Sequence, residues 1–309
     1  MRKEIQLYEY QKDMLRQIED AFVTHQSVMV QMPTGTGKTV LISEVVKREE
    51  RRVKNPCVWI VVHRRELVEQ IKETLERRLG TSLDAEREKS NVIEVFSIQW
   101  LSRHYQEQEE RPSLIVIDEA HHALAKTYAE MMNAYPEAKK LGVTATPCRL
   151  NKRGFTDLFE VLLTSHSISN FIKDGYLSDF DYVSLNPSCE DQKKIDRMSK
   201  RATDGDYSIA EMQDVLDCKP SIGRLYQTIK DFASEKKGIV YAINIEHAEH
   251  IAAYYREQGI EAVAISSKTP LAERKIIIEK FKGTSIDSKP NYASLNLSES
   301  VERKNDADN

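Results

Sequence analysis

A glycine-rich loop near the start of the chain has the composition of a phosphate-binding site. It follows a short apolar run, residues 28–30, and leads into a helical pattern; its residues are Thr34, Gly35, Thr36, Gly37, Lys38 and Thr39. Glycines let backbone N–H groups curl around a phosphate, and the N terminus of the following helix adds partial positive charge. Lys38 would then contact the β- and γ-phosphates of a nucleotide, and the hydroxyl of Thr39 would bind Mg²⁺. Met32 stands where the general pattern has its first glycine, so a plain turn before a helix is the alternative.

An acidic pair, Asp118 and Glu119, follows a second apolar run at residues 114–117. Ligands of open parallel sheets bind at the carboxyl ends of the strands, so this pair is expected beside the glycine-rich loop. Asp118 would hold Mg²⁺, directly or through water, and Glu119 would orient and deprotonate the water that attacks the γ-phosphate. An acidic pair before a helix is otherwise usually an N-cap, which is the alternative. With the loop upstream, the sequence favours nucleotide hydrolysis with catalytic roles for Lys38, Asp118 and Glu119.

Strand-sized apolar runs and helical patterns alternate along the first half of the chain. The runs lie at residues 28–30, 57–62, 92–96, 114–117 and 141–144, and amphipathic helical patterns separate several of them. Strands that alternate with helices indicate a parallel sheet covered on both faces. We therefore predict an α/β fold for a first domain at residues 1–165.

A weaker α/β pattern occupies the second half of the chain. Its strands are predicted at residues 239–243 and 262–265, and the polar segment 186–219 before them is predicted to be a helical linker. Towards the end of the chain Ser, Asn, Asp and Lys dominate, which is typical of disordered polypeptide. These patterns predict a second domain at residues 166–283 and a disordered tail at residues 284–309.

The overall composition is that of a soluble globular protein, with 40% apolar and 30% charged residues and a net charge of −4. No apolar run approaches the ~20 residues of a membrane span, and no signal-peptide pattern follows Met1, so a cytoplasmic protein without membrane contact is expected. The cysteines have no C-x-x-C spacing, which disfavours zinc and disulfides. The net charge does not indicate a nucleic-acid partner, but backbone amides and local cations are sufficient to bind a nucleic-acid strand.

Together the two motifs resemble those of the superfamily 2 DEAD/DEAH-box helicases, and the similarity extends over about residues 7–282. Asp118-Glu119-Ala120-His121 is similar to the DEAH box, and Gly142-Val143-Thr144-Ala145-Thr146-Pro147 is similar to motif III. The motif set looks closest to that of restriction-enzyme motor subunits, of the type III res kind. This resemblance implies a RecA-like domain followed by an incomplete second RecA-like domain. It also implies ATP and Mg²⁺ as cofactors and nucleic acid, DNA in preference to RNA, as partner.

The resemblance further implies roles for residues outside the loop and the acidic pair. Gln11, preceded by Tyr10, looks like the upstream glutamine that reads adenine in this family. The residues similar to the strand-contacting motifs are His63, Arg64, Arg65, Ser97 and Gln99. Those similar to the groups that couple ATP to the nucleic acid are His121, Thr144 and Thr146.

Each of these residues has a structural alternative. Gln11 would otherwise be a solvated helix residue. Arg64 and Arg65 would otherwise be an ordinary charged helix start, although cations are disfavoured near a helix N terminus. Thr144 and Thr146 would otherwise be strand residues selected for β-branching.

Complete motors of this family carry a motif V with Gly-Asp and a motif VI that supplies an arginine finger. Neither pattern occurs after Lys282 in this sequence. Since such a finger is worth about 10³–10⁵ in rate in related enzymes, we expect ATP binding with little turnover. The second sheet would also expose apolar surface and unpaired strand edges. We interpret the chain as a motor cut short; half of a split motor, and a module that closes on nucleic acid without hydrolysis, are the alternatives.

Two other activities are disfavoured by the sequence. Guanine readers use Asn-Lys-x-Asp, and the near match at residues 151–154 lacks the aspartate. No carboxylate–lysine nuclease pattern is present either, so cleavage of DNA would require a nuclease partner or another segment.

Overall fold

The computed structural model describes residues 6–63, 65–80, 82–83, 91–122, 126–147, 158–183, 190–198, 207–234, 236–283 and 291–295. The chain divides into two compact units, residues 1–181 and residues 182–309. Each unit has its own sheet and its own hydrophobic core. None of the helices in these ranges has both the length and the apolar character needed to cross a membrane.

The first unit is built on a six-stranded sheet. Its strands are β1 (Ser27–Gln31), β2 (Cys57–Val62), β3 (Val92–Ser97), β4 (Leu114–Asp118), β5 (Lys139–Thr144) and β6 (Val161–Thr164). All neighbours are parallel, in the order β3-β2-β4-β5-β1-β6. Every residue of β2 is buried, as expected for a central parallel strand covered on both faces. The predicted α/β fold with a parallel sheet is confirmed; β6 is the strand that the apolar runs did not reveal.

Helices cover both faces of this sheet. They are α1 (Glu9–Thr24), α2 (Lys38–Arg52), α3 (Glu66–Leu79), α4 (Ile98–His104), α5 (Lys126–Ala134) and α6 (Ile168–Lys173). Alternate residues of each strand point to opposite faces, so β2 directs Ile60 into a core with α1, α2 and α3 and Trp59 into a core with α4 and α5. The carboxyl ends of all six strands therefore meet at one edge, where the loops that follow them are held side by side.

The first unit extends further than the predicted boundary at residue 165. Phe171 of α6 is fully buried, and its ring lies edge-on to that of Tyr10, with 4.8 Å between the centroids. Leu177 packs against the same core. A six-residue helix is too short to show a clear hydrophobic period, which is why the sequence pattern placed this segment in the second domain.

The second unit contains a smaller parallel sheet. Its elements are α7 (Glu190–Asp196), α8 (Ile209–Leu216), α9 (Lys219–Ala233), β7 (Gly238–Tyr241), α10 (Ile245–Glu257), β8 (Glu261–Ile265), α11 (Leu271–Gly283) and β9 (Asn291–Leu295). The strand order is β7-β9-β8. The described part of the predicted linker contains the helices α7 and α8. It is anchored to this unit, because Asp191 of α7 accepts hydrogen bonds from Arg224 and Ser221 of α9.

The predictions for the end of the chain were partly wrong. Residues 291–295, expected within a disordered tail, form β9, which lies between β7 and β8 and pairs with one edge of each. Strand pairing uses backbone N–H and C=O groups that any residue except proline supplies, so composition alone did not reveal it. The expected apolar surface is present, since Ile239 and Tyr241 of β7 are exposed. Residues 284–290 and 296–309 lie outside the described residues.

Candidate nucleotide and nucleic-acid site

The glycine-rich loop joins the carboxyl end of β1 to the N terminus of α2. Gly35 and Gly37 have φ angles of 87° and 85°, in the left-handed region that glycine adopts without strain. Gly37 is the N-cap of α2, so the loop leads directly into the positive end of the helix dipole. Lys38 and Thr39 follow in the first turn and are partly exposed. The loop therefore has the curled backbone and the helix N terminus that phosphate binding requires.

Side chains of α1 hold the backbone of this loop. The Tyr10 hydroxyl donates to the carbonyl of Thr36 at 2.9 Å, and Nε2 of Gln11 donates to the same carbonyl at 3.3 Å. Oε1 of Gln11 accepts the N–H of Tyr8 at 3.1 Å. Gln11 is 3% exposed, so the alternative of a solvated helix residue is wrong. Nε2 also lies 3.5 Å from the Tyr10 hydroxyl, a long hydrogen bond, and Oε1 retains one lone pair for a further partner.

The contact between Gln11 and the loop also explains why residue 37 is a glycine. A Cβ atom built at Gly37 would lie 2.6 Å from Nε2 of Gln11, closer than real Cβ contacts occur. The glycine-rich loop therefore packs so closely against α1 that position 37 has room only for a residue without a side chain. The sequence indicated Gln11 through resemblance only, and it gave no indication that Tyr10 contributes to the same contact.

The acidic pair lies at the carboxyl end of β4. Asp118 is the last residue of the strand, and Glu119 has a φ angle of 50°, a conformation that non-glycine residues adopt rarely and mostly at functional sites. Burial raises the pKa of the Asp118 carboxyl, and the neighbouring Glu119 charge adds to this; the N–H of Glu119, at 3.0 Å, and the charge of Lys38 act in the opposite direction. A cation close to Asp118 is thus the natural complement of its buried carboxylate.

The donor set at this edge fits Mg²⁺ that arrives with a nucleotide. The carboxylate of Asp118 and the hydroxyl of Thr39 are hard oxygen donors, which Mg²⁺ prefers, and this ion is usually held by one or two protein groups together with phosphates and water. The described ranges hold no group of three or more His, Cys, Asp or Glu side chains that could bind a metal by themselves. With Asp118 and Thr39 as protein ligands, phosphate oxygens and water would complete the coordination.

The residues predicted to couple the two substrates are brought into contact. Nδ1 of His121 lies 2.9 Å from Oγ1 of Thr144 and 3.3 Å from Oε2 of Glu119. Oγ1 of Thr144 in turn accepts the N–H of Thr146 at 3.1 Å. Thr144 is fully buried at the end of β5, so its hydroxyl serves this network and is more than a consequence of β-branching. A continuous set of hydrogen-bonding groups thus links Glu119 to the loop after β5.

Gly142 is the first residue of the segment similar to motif III, and the structure gives it a packing role that the sequence analysis did not assign. It lies in β5 opposite Ile117 of β4, and a Cβ atom there would lie 2.8 Å from Cβ of Ala120 and 2.6 Å from Cζ of Phe159. The turn that carries Glu119 therefore packs directly on the backbone of β5. An isolated glycine inside a strand pattern is the sequence signal for such a close approach.

The loops predicted to contact a strand of nucleic acid are also neighbours. Val62 at the end of β2 is opposite Ser97 at the end of β3, and Nε2 of Gln99 donates to the carbonyl of His63 at 2.5 Å. The hydroxyl of Ser97 is 3.4 Å from the N–H of Trp100 and caps α4, which gives it a structural role as well.

The cations of this region are only partly described. Arg65 is exposed immediately before α3. Arg64 lies outside the described residues. The expected contacts of Arg64 and Arg65 with phosphates remain predictions.

Known proteins resemble this chain in sequence and in fold. Residues 4–149 match the family of the type III restriction enzyme res subunit. The chain is 32% identical over 254 residues to the 51.5 kDa protein of Lactococcus phage (isolate 7-9), a match that spans 82% of this chain and 52% of the phage protein. It is 22% identical over 296 residues to the DNA 3'-5' translocase XPB2 of Sulfurisphaera tokodaii, spanning 93% and 60% of the two chains.

A solved structure shares the fold. The ATP-dependent type ISP restriction-modification enzyme LlaBIII bound to DNA superposes with a TM-score of 0.66 at 13% identity, over 95% of this chain and 24% of that one. The chain spans about half the length of the curated relatives it matches. With the loop, the acidic pair and the parallel sheet described above, residues 4–149 are a helicase-family domain of the kind found in type III restriction res subunits.

Proposed function

We propose that this chain contains the ATP-binding and strand-contacting part of a DEAH-type motor that moves along DNA. One observation carries the proposal. The glycine-rich loop, the acidic pair and the loops after β2, β3 and β5 follow the carboxyl ends of strands in a single parallel sheet. Nucleotide binding, water activation and strand contact are therefore held on one rigid edge.

In the proposed mechanism, the loop and α2 hold the triphosphate. Backbone N–H groups of the loop and the Lys38 ammonium contact the phosphates, and Thr39 and Asp118 would hold the accompanying Mg²⁺. When bound, that ion would neutralise part of the negative charge of the phosphates. Glu119 lies next to Asp118 and has a φ angle of 50°, and its carboxylate would orient a water molecule towards the γ-phosphate.

Adenine is the base that the Gln11 amide fits. Oε1 of Gln11 keeps one lone pair after its contact with Tyr8, and the long 3.5 Å contact of Nε2 with the Tyr10 hydroxyl is the one that a bound base would replace. The N6 and N7 atoms of adenine offer the complementary donor and acceptor, whereas guanine offers acceptors at both O6 and N7. We therefore propose that ATP is preferred over GTP.

Coupling to the strand is assigned to the hydrogen-bonded set around His121. This side chain touches both the water-orienting Glu119 and Thr144, and Thr144 holds the loop after β5 through Thr146. A change at the γ-phosphate that moves Glu119 would thus move that loop. Relatives described as a DNA translocase and as a DNA-bound restriction enzyme support DNA as the strand.

The proposal is tested by measuring whether the nucleotide changes DNA affinity. Single-stranded DNA is titrated by fluorescence anisotropy with and without Mg-ATP, for the wild type and for Lys38→Ala. We expect Mg-ATP to change the affinity of the wild type and to leave that of Lys38→Ala unaltered. Identical DNA affinities with and without Mg-ATP in the wild type would contradict a coupled motor.

We further propose that a polypeptide of these 309 residues alone hydrolyses ATP slowly. No motif VI pattern occurs in the sequence, and the missing cation corresponds to about 4–7 kcal/mol of barrier. Steady-state hydrolysis with and without single-stranded DNA is compared with that of Glu119→Gln. DNA-stimulated turnover that Glu119→Gln abolishes would show that another residue supplies the cation.

A further inference from the structure

Three rings form a ladder beside the proposed strand-contacting loops. Phe96 and Trp100 are stacked with 5.2 Å between centroids and 10° between planes, and Trp100 and His104 are stacked at 4.5 Å and 13°. Trp100 and His104 are four positions apart in α4, the spacing at which helical side chains lie above one another, and Phe96 adds a third ring from the end of β3. The edge of Trp59, a fully buried core residue, meets the ring of Phe96 at 5.8 Å and 85°. The ladder thus begins at the core and ends at the surface.

The outer part of this ladder is accessible and held in a fixed orientation. Trp100 is 44% exposed, although it is the larger of the two apolar side chains in the stack. Nδ1 of His104 lies 2.8 Å from the carbonyl of Trp100, which fixes the imidazole plane parallel to the indole. Among the described residues, no further ring stacks on the outer face of His104. A flat, pre-oriented aromatic surface therefore faces outwards.

The position of the ladder relates it to the nucleic-acid contacts. Trp100 lies in the first turn of α4, next to Gln99, whose amide reaches the carbonyl of His63 at the end of β2. A strand that contacts these loops passes within a few residues of the indole. A single exposed tryptophan would need no functional explanation. A tryptophan stacked between two nearly parallel rings, next to the proposed strand-contacting loops, is unusual for a surface without a binding partner.

We propose that Phe96, Trp100 and His104 form a stacking platform for nucleobases of the bound single strand. This inference rests on the proposed function and adds base contacts to the phosphate contacts assigned there. Stacking uses the faces that every base has, so the platform would tolerate any sequence. The acidic residues Glu107, Glu109 and Glu110 follow closely and are exposed, and they would repel phosphates. The platform therefore takes one or two bases and does not extend into a groove.

Fluorescence tests the platform in the wild-type protein. The chain contains two tryptophans, and Trp59 is fully buried, so a change in emission on strand binding reports Trp100. Oligo-dT and an abasic oligonucleotide of equal length are titrated at several salt concentrations. We expect oligo-dT to quench the emission and the abasic strand, which has phosphates and no bases, to leave it almost unchanged.

Variants then separate stacking from charge. His104→Ala, which removes the ring with the open face, should weaken oligo-dT binding roughly 5- to 150-fold and leave abasic binding unaltered, because base–aromatic stacking is worth about 1–3 kcal/mol per base. Trp100→Ala should weaken oligo-dT binding as well, because it removes the ring on which His104 is stacked. Trp100→Phe should recover part of the loss. Arg103→Ala, which removes an exposed charge beside the ladder, should leave the ratio of oligo-dT to abasic affinity unchanged.

The outcomes distinguish the platform from the motor assignment. Oligo-dT that binds wild type and Trp100→Ala equally, with the usual salt dependence and no quenching, would overturn the platform and leave the proposed function standing. Failure of both oligonucleotides to bind at low salt would overturn both. Quenching by oligo-dT but not by the abasic strand supports the platform even if Trp100→Ala fails to fold.

Discussion

Replacement of Gly142 by alanine tests whether β5 and the turn after β4 are fitted to each other as described. The new Cβ atom would lie 2.6 Å from Cζ and 2.8 Å from Cε1 of Phe159, and 2.8 Å from Cβ of Ala120. Favourable carbon contacts begin near ~3.5 Å, so all three distances are repulsive. Phe159 is buried in the core and Ala120 is fixed to the backbone, so neither neighbour can move freely.

Two opposing effects determine how Gly142→Ala changes the free energy of unfolding: overpacking of the folded state and restriction of the unfolded chain. Extra carbon in a well-packed core costs about 1–3 kcal/mol, and alanine in place of glycine returns about 0.4–1 kcal/mol by restricting the unfolded chain. The net decrease is up to about 2.6 kcal/mol in the free energy of unfolding of the first unit. For a unit of this size each kcal/mol lowers Tm by about 2–4 °C, which gives a decrease of up to about 10 °C.

Tryptophan fluorescence is a suitable assay, because both tryptophans lie in the first unit and report its unfolding alone. The displaced Ala120 would also shift the turn that carries Glu119 and Asp118, so we expect affinity for Mg-ATP to fall more than affinity for ATP without Mg²⁺. Gly283→Ala is the control, since a Cβ atom there has no neighbour within 4 Å. A Gly142→Ala protein with the Tm and the Mg-ATP affinity of the wild type would refute the close approach of β5 to this turn.

Three further predictions concern the other features. Asp191→Asn should lower the stability of the second unit by about 1.5–3 kcal/mol, measured by circular dichroism, because it weakens a charged hydrogen-bonded pair. The guanidinium partner lowers the pKa of Asp191, so the stability it adds is present at neutral pH and disappears as pH falls through the depressed pKa; Asp191→Asn should not show that pH dependence. Replacing Arg64 and Arg65 by alanine should reduce the log–log salt slope of single-strand binding by about 0.7 for each phosphate that is no longer neutralised, and an unchanged slope would show that the two arginines do not bind phosphates. His121→Ala should retain nucleotide binding but abolish the effect of Mg-ATP on DNA affinity, and retention of that effect would remove the coupling role assigned to its hydrogen bond with Thr144.

The sequence predicted the first sheet well because its strands are buried on both faces. A run such as Cys57–Val62 is apolar throughout, and only a central parallel strand or a buried helix has that pattern. Four-residue β6, with partly exposed side chains, has no such pattern and was missed. The segment with Phe171 was assigned to the wrong unit because its burial depends on a distant helix. Burial of that kind leaves no local signal.

The candidate site was predicted residue by residue where chemistry restricts the residue types. Glycines at positive φ, a lysine and a carboxylate at strand ends can be recognised from spacing alone. The contacts that hold these residues in place cannot be recognised from spacing. The Tyr10 hydroxyl on the Thr36 carbonyl and the packing of Ala120 on Gly142 arise from the positions of separate elements, and only the folded chain brings them together.

The most direct test of the central claim is the affinity of Lys38→Ala for Mg-ATP. Lys47→Ala is the matched control, since Lys47 lies in the same helix α2 and pairs with Glu44 at 2.9 Å, away from the loop. Removal of a charged hydrogen bond to phosphate costs about 1.5–3 kcal/mol, so we expect calorimetry to show binding weakened about 10- to 150-fold for Lys38→Ala and unaltered for Lys47→Ala. Equal affinities of the wild type and Lys38→Ala would contradict the assignment of residues 34–39 as a phosphate-binding loop.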